Sequence, residues 1–258
     1  MGRARMTWIG TSWKMNKTLA EARAFADGLV AARGAFDGVT AFVIPAHTAI
    51  AAVRERLPPD VPVLIGAQNA HWAPAGAYTG EVSMGMVADA GATLVEIGHS
   101  ERREHFGETD DTVALKVEAA VAAGLTPLLC VGEPGAVRAA GREIDWVAGQ
   151  VTRGLSRLAA GDLHEVVVAY EPVWAIGERG REPVTYEIAP VMETLSTGFG
   201  VRAVLYGGSV NRRNAAALLD VPGIDGLFVG RAAWDVADFL ALVRIAAAGR
   251  HVGRPDAR

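Results

Sequence analysis

Eight short, almost wholly apolar runs recur along the chain, at residues 7–13, 39–44, 61–66, 93–97, 126–131, 166–170, 202–206 and 226–229. Each is too short for a helix, and an unbroken Val/Ile/Leu run without polar alternation marks a strand covered on both faces. Between them lie longer Ala-rich stretches with helical spacing, at 18–32, 112–123, 144–158, 188–197, 212–219 and 234–247. In the first of these Leu19, Ala22, Phe25, Ala26 and Leu29 share one face. Strand then helix, repeated, predicts βαβ units and a parallel sheet. Eight repeats in 258 residues predict an α/β fold closed into a (β/α)8 barrel. The competing open, doubly wound sheet would carry G-x-G-x-x-G after its first strand. Here that strand runs into Thr11-Ser12-Trp13-Lys14.

No linker or low-complexity segment divides the chain, so one domain over residues 1–258 is expected, with 1–6 and 249–258 as frayed tails. The balance of 50% hydrophobic and 21% charged residues is that of a packed globular chain. A lone cysteine, Cys130, excludes an internal disulfide framework and a Cys-rich zinc module. With 25 Lys+Arg against 29 Asp+Glu, the net charge of −4 offers no basic stripe for nucleic acid. No stretch approaches the roughly 18 apolar residues of a membrane span. The basic start, Met1-Gly2-Arg3-Ala4-Arg5-Met6, leads into polar Thr11, Ser12 and Lys14 instead of a signal-peptide core, which predicts a cytoplasmic protein.

Barrels of this kind carry their chemistry where strands end, and these endings are polar. Lys14 follows the first strand, Gln68-Asn69 the third and His99-Ser100-Glu101 the fourth. Glu133 follows the fifth, Glu171 closes the sixth, Gly207-Gly208-Ser209 the seventh and Gly230-Arg231 the eighth. No His, Cys and carboxylate spacing suggests a metal. A cation, an imidazole, a carboxylate and Gly-rich turns suit proton transfer between carbons beside a carbonyl. Glu171 is the candidate base, His99 the electrophile and Lys14 the fixed positive charge, while the turns offer N–H groups to a phosphate. His99-Ser100-Glu101-Arg102 also reads as a helix start with Ser100 near the cap, a setting that keeps the imidazole neutral.

Four segments together resemble the triosephosphate isomerase family. They are Trp13-Lys14-Met15-Asn16, the run Glu96-Ile97-Gly98-His99-Ser100-Glu101-Arg102-Arg103, the run Ala169-Tyr170-Glu171-Pro172-Val173-Trp174-Ala175-Ile176-Gly177, and Tyr206-Gly207-Gly208-Ser209-Val210. The resemblance covers essentially the whole chain and implies a TIM barrel working without cofactor or metal. It gives Lys14, His99 and Glu171 the electrostatic, electrophile and base roles. It gives Gly177, Ser209 and Gly230 phosphate contacts, and Glu101 the support of the lysine. Gly76-Ala77-Tyr78-Thr79-Gly80-Glu81 is similar to the family's protruding loop, whose threonine enters a second subunit, so a homodimer is implied.

Three departures from the family pattern touch the substrate. Ser12 stands where an asparagine is usual, removing an amide worth roughly 1–3 kcal/mol if nothing replaces it and opening volume beside the reacting carbons. The lid after Gly177 reads Glu178-Arg179-Gly180-Arg181-Glu182-Pro183 instead of a compact Thr-Gly-Lys-Thr-Ala type of run. The eighth strand ends Gly230-Arg231 where Gly-Gly is usual; Arg231 either adds a charge-assisted phosphate contact or points into solvent. This combination is similar to a side branch that isomerises four-carbon ketose phosphates, L-erythrulose 1-phosphate to D-erythrulose 4-phosphate, in tetritol catabolism. The alternatives are an ordinary triosephosphate isomerase with a drifted lid and a non-catalytic barrel that senses a sugar phosphate.

Other residues read as structural. Cys130 is expected to be a buried, unreactive thiol. His47, His71, His105, His164 and His251 lack motif context. Glu133 and Gln68-Asn69 are expected to support the barrel rim, and Arg102, Arg103 and Glu104 to form a solvated helix face, with an ion pair across the barrel end open to Arg103.

Overall fold

The computed structural model describes residues 6–177 and 180–249. Most of both expected tails, and Glu178 and Arg179 of the lid, lie outside the described residues. Eight strands, β1 (Thr7–Ser12), β2 (Val39–Ile44), β3 (Val63–Ala67), β4 (Leu94–Ile97), β5 (Thr126–Val131), β6 (Val167–Tyr170), β7 (Ala203–Gly207) and β8 (Gly226–Val229), close into one barrel in chain order. Every neighbouring pair is parallel, including β1 with β8, where Ile9 faces Leu227. The barrel is therefore as the apolar runs predict, with strand ends displaced by at most two residues.

Alternation along the strands sorts side chains into two layers. Leu94, Leu128, Val167, Leu205 and Phe228 pack inside the barrel. Val95, Ile97, Leu129, Val168 and Val204 point outward and pack beneath the helices. Those helices, among the described residues, are α1 (Leu19–Ala31), α2 (Ile50–Arg56), α3 (Met84–Asp89), α4 (Ser100–His105), α5 (Asp110–Ala122), α6 (Gly135–Ala139), α7 (Glu143–Gly154), α8 (Thr185–Gly198), α9 (Ala215–Leu219) and α10 (Val236–Ala248). None is long and apolar enough to cross a membrane.

Caps explain where the helices start. Thr18 caps α1 in a reciprocal capping box with Glu21, and Thr109 caps α5, so that Asp110 and Asp111 form an acidic first turn ahead of the apolar periodicity. The stretch read as helical from residue 212 begins at Ala215, because Asn214 Oδ1 accepts the Asn211 N–H at 2.8 Å and holds those residues in a turn. α2, α3, α4 and α6 span at most seven residues, too little for a periodic signal.

Candidate active site

β1 delivers Ser12 to the barrel mouth, and the chain then turns through Lys14, whose φ of 54° is left-handed. Gln68 fixes this conformation by donating Nε2–H to the Lys14 carbonyl at 2.8 Å. Lys14 Nζ in turn donates to Glu101 Oε1 at 2.6 Å. Burial alone would push the ammonium down, but that hydrogen bond and the charges of Glu171, Glu101 and Glu96 outweigh it, so its pKa is raised. For Glu101, burial opposes ionisation, yet the Lys14 bond wins and the pKa is lowered. The ion pair is charged across the neutral range.

After β4, Gly98 (φ 78°) swings the chain so that His99 becomes the N-cap of α4. The Glu101 N–H donates to His99 Nδ1 at 3.1 Å. That nitrogen bears no proton, so the ring is neutral with its N–H on Nε2. The cap is thus the imidazole itself, not Ser100. Nε2 points into the mouth, 3.7 Å from Glu171 Oε2 and 4.0 Å from Glu96 Oε1.

Glu171 leaves β6 with its N–H donated to the Val131 carbonyl at 2.8 Å. Its side chain lies against Gly207, where an added Cβ would sit 2.9 Å from Cγ, so the seventh strand must end in glycine. Glu171 Oε2 is buried and has no hydrogen-bond partner. It stands ready for a proton that the protein does not supply.

Across the mouth, Gly177 (φ 78°), Gly208 (φ 127°) and Ser209 (φ 48°) form tight turns of the kind that present backbone N–H groups to an anion. Gly230 directly follows β8. Ser12, Lys14, His99, Glu101, Glu171, Gly177, Ser209, Gly230 and Arg231 all line one cavity of about 460 Å³. Arg231 is exposed at its rim, and its side chain makes no hydrogen bond or ion pair with the other described residues. Trp234 and Asn211 also line the cavity and went unpredicted; Trp234 Nε1 donates to the Ser12 carbonyl at 3.0 Å. Among the described residues no cluster of His, Cys, Asp or Glu could hold a metal ion.

The lid is tethered, not simply a bulky charged tip. Gly180 folds back against Ala175, where a Cβ would come within 2.6 Å of the backbone. Arg181 makes a two-pronged pair with Glu187, at 2.7 and 2.8 Å. Glu182 Oε1 receives Asn211 and Arg213, each at 2.8 Å, from the segment after β7. Ser209 Oγ donates to the Ala175 carbonyl at 2.8 Å, tying the same segment to the residue after the lid's first hinge, Pro172-Val173-Trp174.

The supporting residues are largely where expected. Glu133 is buried beneath the hinge and accepts from Tyr170 Oη and Trp174 Nε1. Cys130 is a buried free thiol. Arg103 is ion-paired, with Asp110 at 2.6 Å, and also donates to the Gly98 carbonyl. Thr79 is exposed outside the cavity, on a loop whose base is closed by the His71 N–H to Val82 carbonyl bond at 2.7 Å. The His71 ring stacks on Trp72 at this base and lies beside Tyr78, away from the cavity.

Glu96 is the site residue that strand-end reasoning misses. It is 3% exposed, and burial pushes its carboxyl up to about 7. Ser12 Oγ donates to its Oε2 at 2.8 Å. The available signal was a charge inside the apolar run Leu94-Val95-Glu96-Ile97, at the inward position two after Leu94.

The fold and this site are those of a sugar-phosphate isomerase barrel. The family model for triosephosphate isomerase matches residues 7–246, and the chain belongs to that family. It is 50% identical over 250 residues to the L-erythrulose-1-phosphate isomerase of Mycolicibacterium smegmatis, covering 95% of each chain. It is 52% identical over 246 residues to the enzyme of that name from Rhizobium meliloti, covering 92% of this chain and 95% of the relative. Among solved structures, the triosephosphate isomerase of Bartonella henselae is similar with a TM-score of 0.79 and 33% identity, over 93% of this chain and 98% of that one.

Proposed function

We propose that the chain is a cofactor-free isomerase that converts L-erythrulose 1-phosphate to D-erythrulose 4-phosphate, in tetritol (erythritol) breakdown. The observation that carries the reaction is the 3.7 Å gap between His99 Nε2 and the unpartnered Glu171 Oε2. It places a base and an N–H donor side by side, where both can reach neighbouring atoms of one substrate carbon–oxygen unit. The four-carbon substrate is supported by the names of the full-length relatives at 50% and 52% identity, against 33% for the triose enzyme.

In this reading Glu171 takes the proton from C3, and the C3–H electron pair forms the C2=C3 bond. Charge moves onto the C2 oxygen, facing His99 Nε2–H and Lys14. The Glu171 carboxyl then returns a proton to C2 as O3 loses its proton and becomes the carbonyl. One hydrogen passes from C3 to C2 and one from O3 to O2, so no redox partner is needed. Gly177, Ser209 and Gly230 hold the phosphate, with Arg231 beside it, and Glu101 keeps Lys14 in place.

The reading extends to assembly and setting. A single barrel domain pairs with a second copy through the 76–81 loop, Thr79 reaching the partner; Tyr78 at 49% and Met15 at 97% exposure support a covered apolar surface there. A free buried thiol is in keeping with the cytoplasm.

The test is the ratio of kcat/KM for L-erythrulose 1-phosphate over D-glyceraldehyde 3-phosphate on one preparation. The expected ratio is well above one. A ratio far below one means a triosephosphate isomerase, and no turnover of either with retained binding means a sensor.

A further inference from the structure

Glu96 is a buried carboxylate that the proton-transfer scheme does not use. It projects from β4 into the barrel interior, among Leu94, Leu128, Ile44 and Cys130. Placing a carboxylate there is costly unless it is paired, and buried groups of this kind concentrate where ligands bind. Buried carboxylates usually have both oxygens satisfied. Glu96 has one: Oε2 accepts from Ser12 Oγ, a bond that crosses the interior from β1 to β4. Oε1 has no hydrogen bond among the described residues, and His99 Nε2 stands 4.0 Å from it. The side chain retains 4% exposure.

The direction of the substrate follows from the ring of strands. The phosphate turns follow β6, β7 and β8, and β4 stands opposite β8 in the closed order. A ligand whose phosphate sits at Ser209 and Gly230 and whose reacting carbons lie at His99 and Glu171 extends its far end across the mouth along the wall formed by Ser12 and His99, and Glu96 lies directly behind both. Ser12, being short, leaves that direction open. Its only proton is committed to Glu96, which fixes the carboxylate and leaves Oε1 as the open acceptor.

We propose that Glu96, oriented by Ser12, is the specificity-determining residue that accepts a hydrogen bond from the terminal hydroxymethyl group of the four-carbon substrate. This rests on the reaction proposed above and adds a residue to it. A triose phosphate has no such hydroxyl and leaves Oε1 unpaired. A site built to pair a substrate hydroxyl rejects the analogue without it far more strongly than a merely roomier pocket does.

The experiment compares the unaltered enzyme, Glu96→Gln and Glu96→Val with L-erythrulose 1-phosphate, its 4-deoxy analogue and D-glyceraldehyde 3-phosphate. Glu96→Val is expected to lower the tetrulose-to-triose ratio of kcat/KM about 30-fold, and Glu96→Gln, which keeps the shape, about 5-fold. The 4-deoxy analogue is expected to be about 30-fold poorer than the full substrate for the unaltered enzyme and no poorer for Glu96→Val, since the partner is already gone. Ratios that stay within about 2-fold of the parent in the isosteric Gln variant, or a deoxy penalty that persists in Glu96→Val, overturn the role of Glu96 while leaving the reaction standing. Lack of tetrulose turnover by the unaltered enzyme overturns the reaction and this role together.

Discussion

Trp174 Nε1 donates to Glu133 Oε1 at 2.7 Å, anchoring the first hinge of the lid to a carboxylate buried in the barrel rim. The guanidinium groups of Arg138 and Arg181 lie over the same indole, at 4.9 and 4.3 Å from its ring. One comes from α6 and the other from the lid itself, so the hinge residue is where barrel and lid meet. Trp174→Phe keeps the ring and removes the N–H. It leaves Glu133 short of a donor, which is expected to lower stability by about 1–3 kcal/mol in urea denaturation. With the hinge loosened, kcat/KM is expected to fall about 10-fold while the His99 and Glu171 geometry persists.

Glu96 makes folding stability depend on pH. Burial, which outweighs the opposing influence of His99, lifts its folded pKa to about 7 from an ordinary 4.5; Glu171 reinforces the lift, and Ser12 and Lys14 oppose it. The native state thus holds a proton that the unfolded chain releases between these values. A raised carboxyl pKa contributes stability below the unfolded value that is lost as pH rises through the folded one. Glu96→Gln cannot ionise. Its stability relative to the parent is expected to be similar at pH 4.5 and to gain on the order of 3 kcal/mol by pH 8, read from denaturation midpoints. A difference that does not grow with pH contradicts the assignment.

Glu171→Asp withdraws the carboxylate by one methylene. Its backbone N–H to the Val131 carbonyl is unaffected by that change. Because roughly 1 Å of misplacement can cost about 100-fold in a proton transfer, kcat is expected to fall by about that factor with KM little altered. Steady-state kinetics with the preferred substrate checks it. An equal loss carried by KM would make Glu171 a binding residue.

The barrel was legible because eight apolar runs and the longer amphipathic helices leave strong periodic signals. Lys14, His99 and Glu171 were legible because a polar residue at the end of a buried strand stands out against its neighbours. The Lys14–Glu101 pair was anticipated through the family resemblance, but other relationships built across the ring escaped. Ser12 and Glu96 are 84 residues apart and meet only across the interior of the closed barrel. The bond from Asn211 to Glu182 spans 29 residues, and neither residue by itself announces that the lid is tied down. Short helices such as α4 and α6 were invisible for a simpler reason: one or two turns contain less than one repeat of their pattern.

Lys14 and Ser209 hold left-handed backbone that glycine would adopt with less strain, at φ of 54° and 48°. Each position costs the fold about 1 kcal/mol or more for keeping a side chain there. Stability and chemistry therefore pull these two sites in opposite directions. In a descendant barrel released from its reaction, glycine at 14 and 209 would be favoured on folding grounds alone.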